Sequence, residues 1–443
     1  MGKRRMVSDQ LQSNEKKGLG LIFRALSHRN YRLFFIGQGI SLIGTWVQLI
    51  AMSWLVYRLS NSAFLLGMTG FLGMIPTFLL APFTGVLTDR WNRHRILLIT
   101  QSLAMIQAFV LATLDLTGAI RIWHLFILIP SLGIVNALDA PARQSFVVEL
   151  VEKREDLGNA IALNSFLFNG ARLVGPSIGG ILISILGEGI CFLLNGLSFF
   201  SVIVALLAMR IAPKDRGNQE KQVWPVLKEG FNYTFGFAPI RFILFLLGLA
   251  SLMGMPFTVL MPVFAKDILH GGPQTLGFLM AASGVGAVTG ALYLASRRSI
   301  LGLIRIISIA SGVFGIGLIA FSLSHILWLS LLLLIVVGFG MMVQMASSNT
   351  VIQTMVDDDK RGRVMSFFMM SMMGMAPFGS LLAGFLASKI GASSTLIIGG
   401  TSCILGSLLF AKKLPLIREM VRPIYLKKGI IREEPKVVAS LDR

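Results

Sequence analysis

The stretch FTGVLTDRWNRHR, residues 83–95, ends a run of more than twenty almost entirely apolar residues with one acidic and four basic side chains. A helix needs about 20 mainly apolar residues to cross a bilayer whose hydrocarbon core is roughly 30 Å thick. The stretch therefore marks the point where a membrane-spanning helix leaves the bilayer. Because arginine is favoured in cytoplasmic loops, its arginines also predict on which side the helix ends.

The rest of the chain repeats this alternation of long apolar runs and short charged turns. Of the 443 residues, 54% are hydrophobic and 14% are charged, whereas soluble proteins carry about 25% charged residues. The net charge of +19 lies in turns and tails between apolar runs, which favours an anionic membrane surface over a nucleic-acid partner. We therefore expect a polytopic protein embedded in a lipid bilayer.

Apolar runs of spanning length predict twelve helices. The first six lie near 32–57, 64–88, 95–115, 122–147, 159–185 and 190–211, and the second six near 241–264, 275–296, 301–321, 326–353, 363–387 and 392–411. The turns after predicted spans 2, 6, 8 and 10 carry most of the basic residues, so the positive-inside rule places both termini in the cytoplasm. The polar amino end has no short apolar core with a cleavage-like site, so we expect no cleaved signal peptide.

A long polar break divides the chain into two halves. It predicts a cytoplasmic segment at 1–31, a six-helix bundle at 32–211, a cytoplasmic linker at 212–240, a second bundle at 241–411 and a basic cytoplasmic tail at 412–443. An internal repeat supports this division, because a shift of 204 residues superposes Gly158, Gly175, Gly180 and Gly187 on Gly362, Gly379, Gly384 and Gly391. Repeated parallel halves are typical of secondary transporters.

The opening stretch also contains a spaced motif. Gly85, Leu87, Asp89, Arg90 and Arg93 follow the pattern GxLxDRxxR between predicted spans 2 and 3. Here the sequence resembles the major facilitator superfamily, whose loop between helices 2 and 3 carries this motif. Position 92 has asparagine where the family has a second glycine, and asparagine is among the few residues that tolerate a left-handed turn.

The resemblance extends from about residue 20 to 412. The stretches at 26–48, 136–151 and 262–292 look like the macrolide-efflux and enterobactin-exporter group of the superfamily. This resemblance implies an all-α membrane protein of twelve helices in two bundles, which exports an amphipathic organic molecule, such as a drug or a siderophore, by alternating access. It also implies a plasma-membrane location, as in the inner membrane of a bacterium, and we expect a monomer.

By the same resemblance, the motif loop closes a cytoplasmic gate to which Gly85 and Arg90 contribute. Asp89 is expected to dock at the start of predicted span 11, near Gly362 and Arg363, when that side is closed. A carboxylate is stabilised near the positive amino terminus of a helix. The alternative is a plain turn of solvated charges.

Arg93 is expected to pair with an acidic residue of predicted span 4, and Asp139 and Glu149 are the candidates. Asp139 is the acid that lies deepest in the predicted spans, so it is also a candidate proton carrier for proton-coupled antiport. The arginine that exporters carry earlier in this helix is absent from FILIPSLGIVNA, residues 126–137. Proton coupling therefore stays open.

Arg172 lies about thirteen residues into predicted span 5, hence roughly 20 Å from the cytoplasmic end. An ionised side chain at that depth is costly unless it faces a cavity or a partner. Two interpretations stay open: Arg172 binds an anionic group of the substrate, or it pairs with Asp139 and locks spans 4 and 5 together.

The same predicted span carries the motif NGARLVGPSIGG at 169–180. Its Gly175, Pro176, Gly179 and Gly180 resemble a glycine-proline motif of exporter branches of the superfamily. Small residues allow close helix contacts, and proline permits a bend. Ordinary close packing of membrane helices is the alternative.

Polar residues on predicted spans 1, 4 and 10 are candidates for a substrate cavity, since helices 1, 4, 7 and 10 surround the cavity in this superfamily. On span 1 they recur at intervals of three and four residues, which places them on one face. The candidates are Gln38, Ser41, Thr45, Gln48, Asn136, Gln344 and Asn349. The alternative for each is a hydrogen bond between helices.

Other functional classes have weaker support in the sequence. It has no GxxxxGK[ST] phosphate loop, no ligand-spaced metal cluster and no evident pair of nucleophile and base, so we expect neither an enzyme nor a cofactor nor a metal site. Cys191 and Cys403 lie in apolar surroundings and are interpreted as buried small residues. The remaining alternatives are a lipid or lysolipid flippase and, from a different class, a membrane sensor without transport.

Overall fold

The computed structural model describes residues 23–151, 153–210, 223–297 and 299–431. Within these residues the chain is helical and contains no strand. The helices are α1 Arg29–Ser60, α2 Ala63–Arg90, α3 Arg93–Leu116, α4 Ile122–Glu149, α5 Leu157–Leu207, α6 Val223–Gly236, α7 Ala238–Ile268, α8 Pro273–Ala295, α9 Leu303–Ser322, α10 Leu327–Met355, α11 Asp358–Ile390 and α12 Ala392–Lys427. Short 3₁₀ turns at Arg24–Ser27 and Arg154–Asp156 precede α1 and α5.

Among the described residues, eleven helices are long and apolar enough to cross a membrane. One of them, α5, has 51 residues, which would measure about 77 Å if it were straight. It turns at Gly187, whose φ of 81° and ψ of 172° belong to a backbone region that is essentially restricted to glycine. The part of α5 before Gly187 and the part after it therefore form two separate spanning segments. With these two, the eleven helices provide the twelve spanning segments that the sequence predicts.

The turn at Gly187 recurs in the second half of the chain. Gly391, which lies between α11 and α12, has a φ of 85° and a ψ of 160°. The two glycines are 204 positions apart, the same shift that superposes the other glycines of the internal repeat. The repeat therefore has a counterpart in backbone conformation as well as in sequence.

Asn92 begins α3 in the motif loop. Its side-chain oxygen accepts hydrogen bonds from the backbone N–H groups of His94 and Arg95, at 3.0 and 3.3 Å. Its φ is −68°, so it does not adopt the left-handed conformation that asparagine tolerates. Asparagine serves here as a helix cap, which satisfies two N–H groups that the first turn leaves without a partner.

The helices alternate in direction, and this defines two ends of the molecule. The terminal face carries the first and last described residues together with the α2–α3, α4–α5, α8–α9 and α10–α11 connections. The distal face carries the turns at Asn61, Gly118, Gly187, His270 and Gly391.

Of the three largest hydrophobic clusters, two each belong to one half of the chain and the third takes residues from both halves. A cluster near the terminal face of the first half includes Phe34 and Phe146, and a separate one near the terminal face of the second half includes Ile304 and Ile352. In the distal part of the molecule a single cluster takes residues from both halves, among them Leu55, Phe192, Phe264 and Phe321. The halves therefore share their apolar interior at the distal end and have separate interiors at the terminal end.

The helix α12 continues well past the predicted end of its span. Beyond residue 411, Ile417, Val421 and Tyr425 are buried at four-residue intervals in the second-half terminal cluster. The Lys428 ammonium donates hydrogen bonds to the carbonyl oxygens of Thr354 and Val356, at 2.8 and 3.0 Å. Residues 412–427, expected as part of a tail, thus form a helical extension that packs on the ends of α9 and α10.

The predicted linker contains the helix α6, which packs on the connection between α10 and α11. The ammonium of Lys360 lies 4.7 Å from the ring centroid of Tyr233. Burial and the nearby carboxylates of Asp357 and Asp359 raise the pKa of the Tyr233 hydroxyl. A Cβ atom on Gly230 would lie 3.1 Å from the Cβ of Arg363, so the linker helix also touches the first turns of α11.

Candidate functional site

Two pairs of glycines bring the halves of the chain into contact. A Cβ on Gly67 of α2 would lie 2.7 Å from the Cα of Gly384 on α11, and a Cβ on Gly180 of α5 would lie 3.0 Å from the Cα of Gly277 on α8. Larger residues would force the backbones apart at both crossings. Gly180 and Gly384 are equivalent in the internal repeat, so the two contacts are related to each other as the halves are.

The glycine-proline motif of α5 contacts two helices. A Cβ on Gly175 would collide with the Cβ of Trp46, and one on Gly179 would lie 3.2 Å from the Cα of Val47, both on α1. Pro176 and Gly180 instead face α8, where the carbonyl oxygen of Pro176 lies 2.5 Å from a Cβ built on Gly277. The motif therefore combines close packing inside the first half with the crossing between the halves.

At the distal face, polar side chains also join the halves. The Tyr57 hydroxyl at the end of α1 donates to the Asp267 carboxylate of α7. The neighbouring Lys266 ammonium donates to the side-chain oxygen of Asn61 at 3.0 Å and lies 5.3 Å from the centroid of the Tyr57 ring. We call these four residues the distal latch.

The distal latch has no signature in the sequence. Tyr57 and Asp267 are 210 positions apart and follow no common motif. Beside the latch, Arg58 pairs with Glu188 at 2.7 Å and with Asp115 at 3.3 Å. This second group ties the end of α1 to the end of α3 and to the turn in α5, so both charge groups lie where the distal loops converge.

At the terminal face, Arg93 pairs with one of its two predicted candidates. Its guanidinium lies 2.8 Å from the Glu149 carboxylate at the end of α4, and the two side chains are 19% and 18% exposed. It also donates to the carbonyl oxygen of Ser145 at 3.4 Å. The contact joins the motif loop to α4 within the first half.

Asp139, the other candidate, is 4% exposed and has partners of its own. Its carboxylate accepts hydrogen bonds from Thr100 at 2.9 Å and from Gln101 at 2.8 Å, both on α3. The Arg143 guanidinium, one turn along α4, pairs with it at 3.1 Å. A buried carboxylate is tolerated because hydrogen bonds and a countercharge replace its water.

In this conformation Asp139 pairs with Arg143 instead of Arg172 and accepts hydrogen bonds from Thr100 and Gln101. Arg172 is partly buried, about 22 Å along α5 from its first residue at 1.5 Å per residue. In the part of the chain that the structure describes, its guanidinium has neither a hydrogen bond nor an ion pair. The backbone of Arg172 runs beside α8, with its carbonyl oxygen 3.4 Å from a Cβ built on Gly284.

Gln48, predicted to line a cavity, is instead part of an interhelical network. Its side chain donates to the side-chain oxygen of Gln107 on α3 at 3.0 Å and accepts from the amide of Asn195 on α5 at 2.7 Å. Ser198 donates to the side-chain oxygen of Asn195 at 2.9 Å. This corrects the assignment of Gln48, because one face of a helix can point into the bundle as well as toward water.

The other predicted cavity residues divide by exposure. Thr45 and Asn136 are exposed and Asn349 is partly buried, whereas three are buried: Gln38, Ser41 and Gln344. The Gln344 amide nitrogen has no hydrogen-bond partner among the described residues. Thr45, Asn136 and Asn349 are therefore the members of the set that remain accessible.

The structure describes only part of the remaining predicted gate residues. Gly85, Asp89 and Arg90 lie in α2, and the side chains of Asp89 and Arg90 and the surroundings of Gly85 lie outside what the structure describes. Gly362 and Arg363 lie in the first turns of α11, and a Cβ built on Gly362 would meet no heavy atom within 4 Å. The expected docking of Asp89 there stays a prediction.

A family of transmembrane secretion effectors matches the chain over residues 22–424. The chain is 27% identical to the staphyloferrin A transporter of Staphylococcus aureus, over 86% of this chain and 95% of that protein. It is 26% identical to the multidrug efflux pump Tap of Mycolicibacterium fortuitum, with 85% and 93% covered. It is also 26% identical to macrolide efflux protein A of Streptococcus pyogenes, with 85% and 95% covered.

Solved transporter structures have the same fold. The nucleoside transporter NupG superposes with a TM-score of 0.68 at 14% identity, over 87% of this chain and 99% of that one. A bacterial homologue of the iron transporter ferroportin, in an inward-facing state, superposes with a TM-score of 0.65 at 16% identity, over 87% and 98%.

Proposed function

Since the chain belongs to the transmembrane secretion effector family of the major facilitator superfamily, we propose that it exports an amphipathic organic molecule from the cytoplasm by alternating access. Its relatives include a staphyloferrin A transporter, a multidrug efflux pump and a macrolide efflux protein. These names support a siderophore or a drug as the class of substrate.

The observation that carries this proposal is the division of the apolar interior. One hydrophobic cluster joins the halves in the distal part of the molecule, whereas each half has its own cluster near the terminal face. Such a molecule can open between the halves at the terminal face without exposing the core of either half. The distal latch and the two glycine crossings support a distal side that is closed in this conformation.

The orientation is part of the proposal. The terminal face carries Arg93, Arg95, Arg297, Arg361 and Lys428 in its connections and helix ends, which supports a cytoplasmic position by the positive-inside rule. Substrate would then enter from the cytoplasm and leave through the distal face. The pair of Arg93 with Glu149 would hold the motif loop in place, and Asp89 would dock on α11 when the terminal face closes.

Within the membrane, Arg172 is the proposed contact for an anionic group of the substrate. The guanidinium has neither a hydrogen bond nor an ion pair within the described residues, and an arginine at this depth is stabilised by a counter-ion or by water. Asp139 remains a candidate proton carrier, but its contacts with Arg143, Thr100 and Gln101 also fit a structural role. Substrate or protons can drive alternation only through unequal affinity for the two states.

A transport assay tests the proposal. We expect cells that express the chain to accumulate less of at least one macrolide or siderophore than cells with an empty vector. Arg172→Gln should abolish this difference for an anionic substrate, while Arg172→Lys should retain part of it. Unchanged accumulation of every compound under a verified proton gradient would overturn the export function, and movement of lysolipids alone would favour a flippase.

A further inference from the structure

A cavity of about 290 Å³ opens at the terminal face of the second half. It lies between the start of α9 and the helical extension of α12. Arg305, Arg418, Arg422 and Tyr425 supply its polar side chains, and Ile304 and Val421 are among its apolar ones. A second cavity of about 530 Å³ adjoins it and shares Arg418 and Arg422.

Among the described residues that line the first cavity, every charged side chain is positive. Among the described residues, the guanidinium groups of Arg305, Arg418 and Arg422 have no ion pair and no hydrogen bond. The amino terminus of α9 adds a partial positive charge, and Gly302, which precedes it with a φ of 83°, provides no side-chain cap. The carboxylate of Glu419 lines only the second cavity. The arrangement therefore favours a ligand with negative charge.

Tyr425 provides an independent observation. It is 7% exposed, and its hydroxyl is buried without a hydrogen-bond partner among the described residues. A buried hydroxyl without a partner is costly, yet the helix extension directs this residue to the wall of the cavity. Because the hydroxyl oxygen is itself closed off in this conformation, an acceptor in the cavity would remove that cost once the side chain turns toward it.

We propose that this cavity binds the phosphate headgroup of an anionic phospholipid. Arginine recognises phosphate through two parallel hydrogen bonds, and the apolar walls fit the glycerol and upper acyl carbons. The assignment to a lipid rests on the proposed orientation, because the terminal face then meets the cytoplasmic leaflet, which carries anionic lipids. The bound lipid would hold the α12 extension, and through Lys428 the end of α10, at the membrane surface.

The test measures lipid binding by the full purified chain in detergent, without a transport readout, so it can fail independently of the export function. Phosphatidylglycerol should raise the unfolding temperature, whereas phosphatidylcholine should not. Arg418→Gln with Arg422→Gln removes two charge-assisted contacts with the phosphate and should weaken phosphatidylglycerol binding by at least about tenfold. The matched control, Lys412→Gln with Lys413→Gln, removes two charges from the same helix outside both cavities and should change binding by less than about threefold.

Tyr425→Phe separates a ligand contact from a structural role. Without lipid, removal of the unpaired hydroxyl should leave the unfolding temperature unchanged or raise it, and with phosphatidylglycerol the shift should be smaller than in the original chain. Equal loss of binding in the two double variants, or an undiminished shift in Tyr425→Phe, would overturn the site. An equal shift with inorganic phosphate alone would assign it to a soluble phosphate compound and overturn the lipid.

Discussion

The contacts of Asp139 and Glu149 show how far the sequence predicts the ion pairs of single residues. The sequence predicts that an arginine of the motif loop pairs with an acid of α4 and includes the correct one, Glu149, among two candidates. The two acids lie ten residues, hence about 15 Å, apart along α4, and the structure pairs Arg93 with Glu149, which lies at the end of the helix beside the loop. The contact of Asp139 with Arg143, one turn away, is a local helical pair, and this spacing is a better signal for its partner than the depth of Arg172.

Replacing Asp139 tests whether its charge is structural. Asp139→Asn leaves the Arg143 guanidinium without its countercharge in a mostly buried setting, so we expect a loss of about 1–3 kcal/mol in the free energy of unfolding. Adding Arg143→Gln should restore part of that loss, because the two residues interact directly. The measurement is denaturant unfolding in mixed micelles. Additive losses would contradict the pair, and abolished pH-driven transport in a stable variant would support a proton carrier.

The helices show where sequence patterns suffice and where they do not. Apart from the end of α12, apolar runs predict the spanning helices to within about five residues, because the bilayer imposes both length and composition. The patterns miss the extension of α12, since Pro415, Pro423 and many basic residues resemble a solvated tail. The buried stripe of Ile417, Val421 and Tyr425 is the signal that identifies it. The patterns do predict the break in α5, because the predicted spans 159–185 and 190–211 lie on either side of Gly187, but they do not predict its backbone conformation.

The two equivalent breaks, at Gly187 and Gly391, should lose stability to a similar extent when the glycine is replaced. Alanine at Gly187 or Gly391 meets no heavy atom within 4 Å, so its cost is confined to backbone strain, about 1–3 kcal/mol at each position. Gly170→Ala is the control, because that glycine also has open space around it but lies within a helix, where alanine is favoured by about 1 kcal/mol. Unfolding in mixed micelles measures all three. Similar values for the three variants would contradict the role of the positive φ.

Across the whole molecule, contacts between the halves decide which conformation is stable. The sequence predicts two repeated halves and a family motif at the terminal face. It gives no indication of the distal latch, whose residues come from α1 and α7 and are brought together only by the packing of the halves. Long-range pairs of this kind depend on the relative position of rigid bodies, which no local pattern encodes.

Weakening the distal latch should shift the molecule toward a state that is open at the distal face. Tyr57→Phe removes the hydrogen bond to Asp267, and a bond to a charged group contributes about 1.5–3 kcal/mol, so the ratio of the two states should change about tenfold or more. Distances between spin labels at Ala119→Cys and His325→Cys, both on distal loops, measure that ratio.

Tyr31→Phe is the matched control for this experiment. Its hydroxyl donates to the carbonyl oxygen of Ala160 at 2.8 Å, within the first half. We expect that variant to lower stability and to leave the label distances unchanged. An unchanged distance distribution in Tyr57→Phe would mean that the latch does not hold the halves together.

The two glycine crossings have a mechanical consequence. Each is a point where backbones from the two halves touch without a side chain between them, and two points define a line. A rigid rotation that keeps both contacts must therefore turn about the line through Gly67–Gly384 and Gly180–Gly277. Because that line lies toward the distal face, the terminal ends of the helices form the long arm of a lever, and a small change at the latch is magnified there.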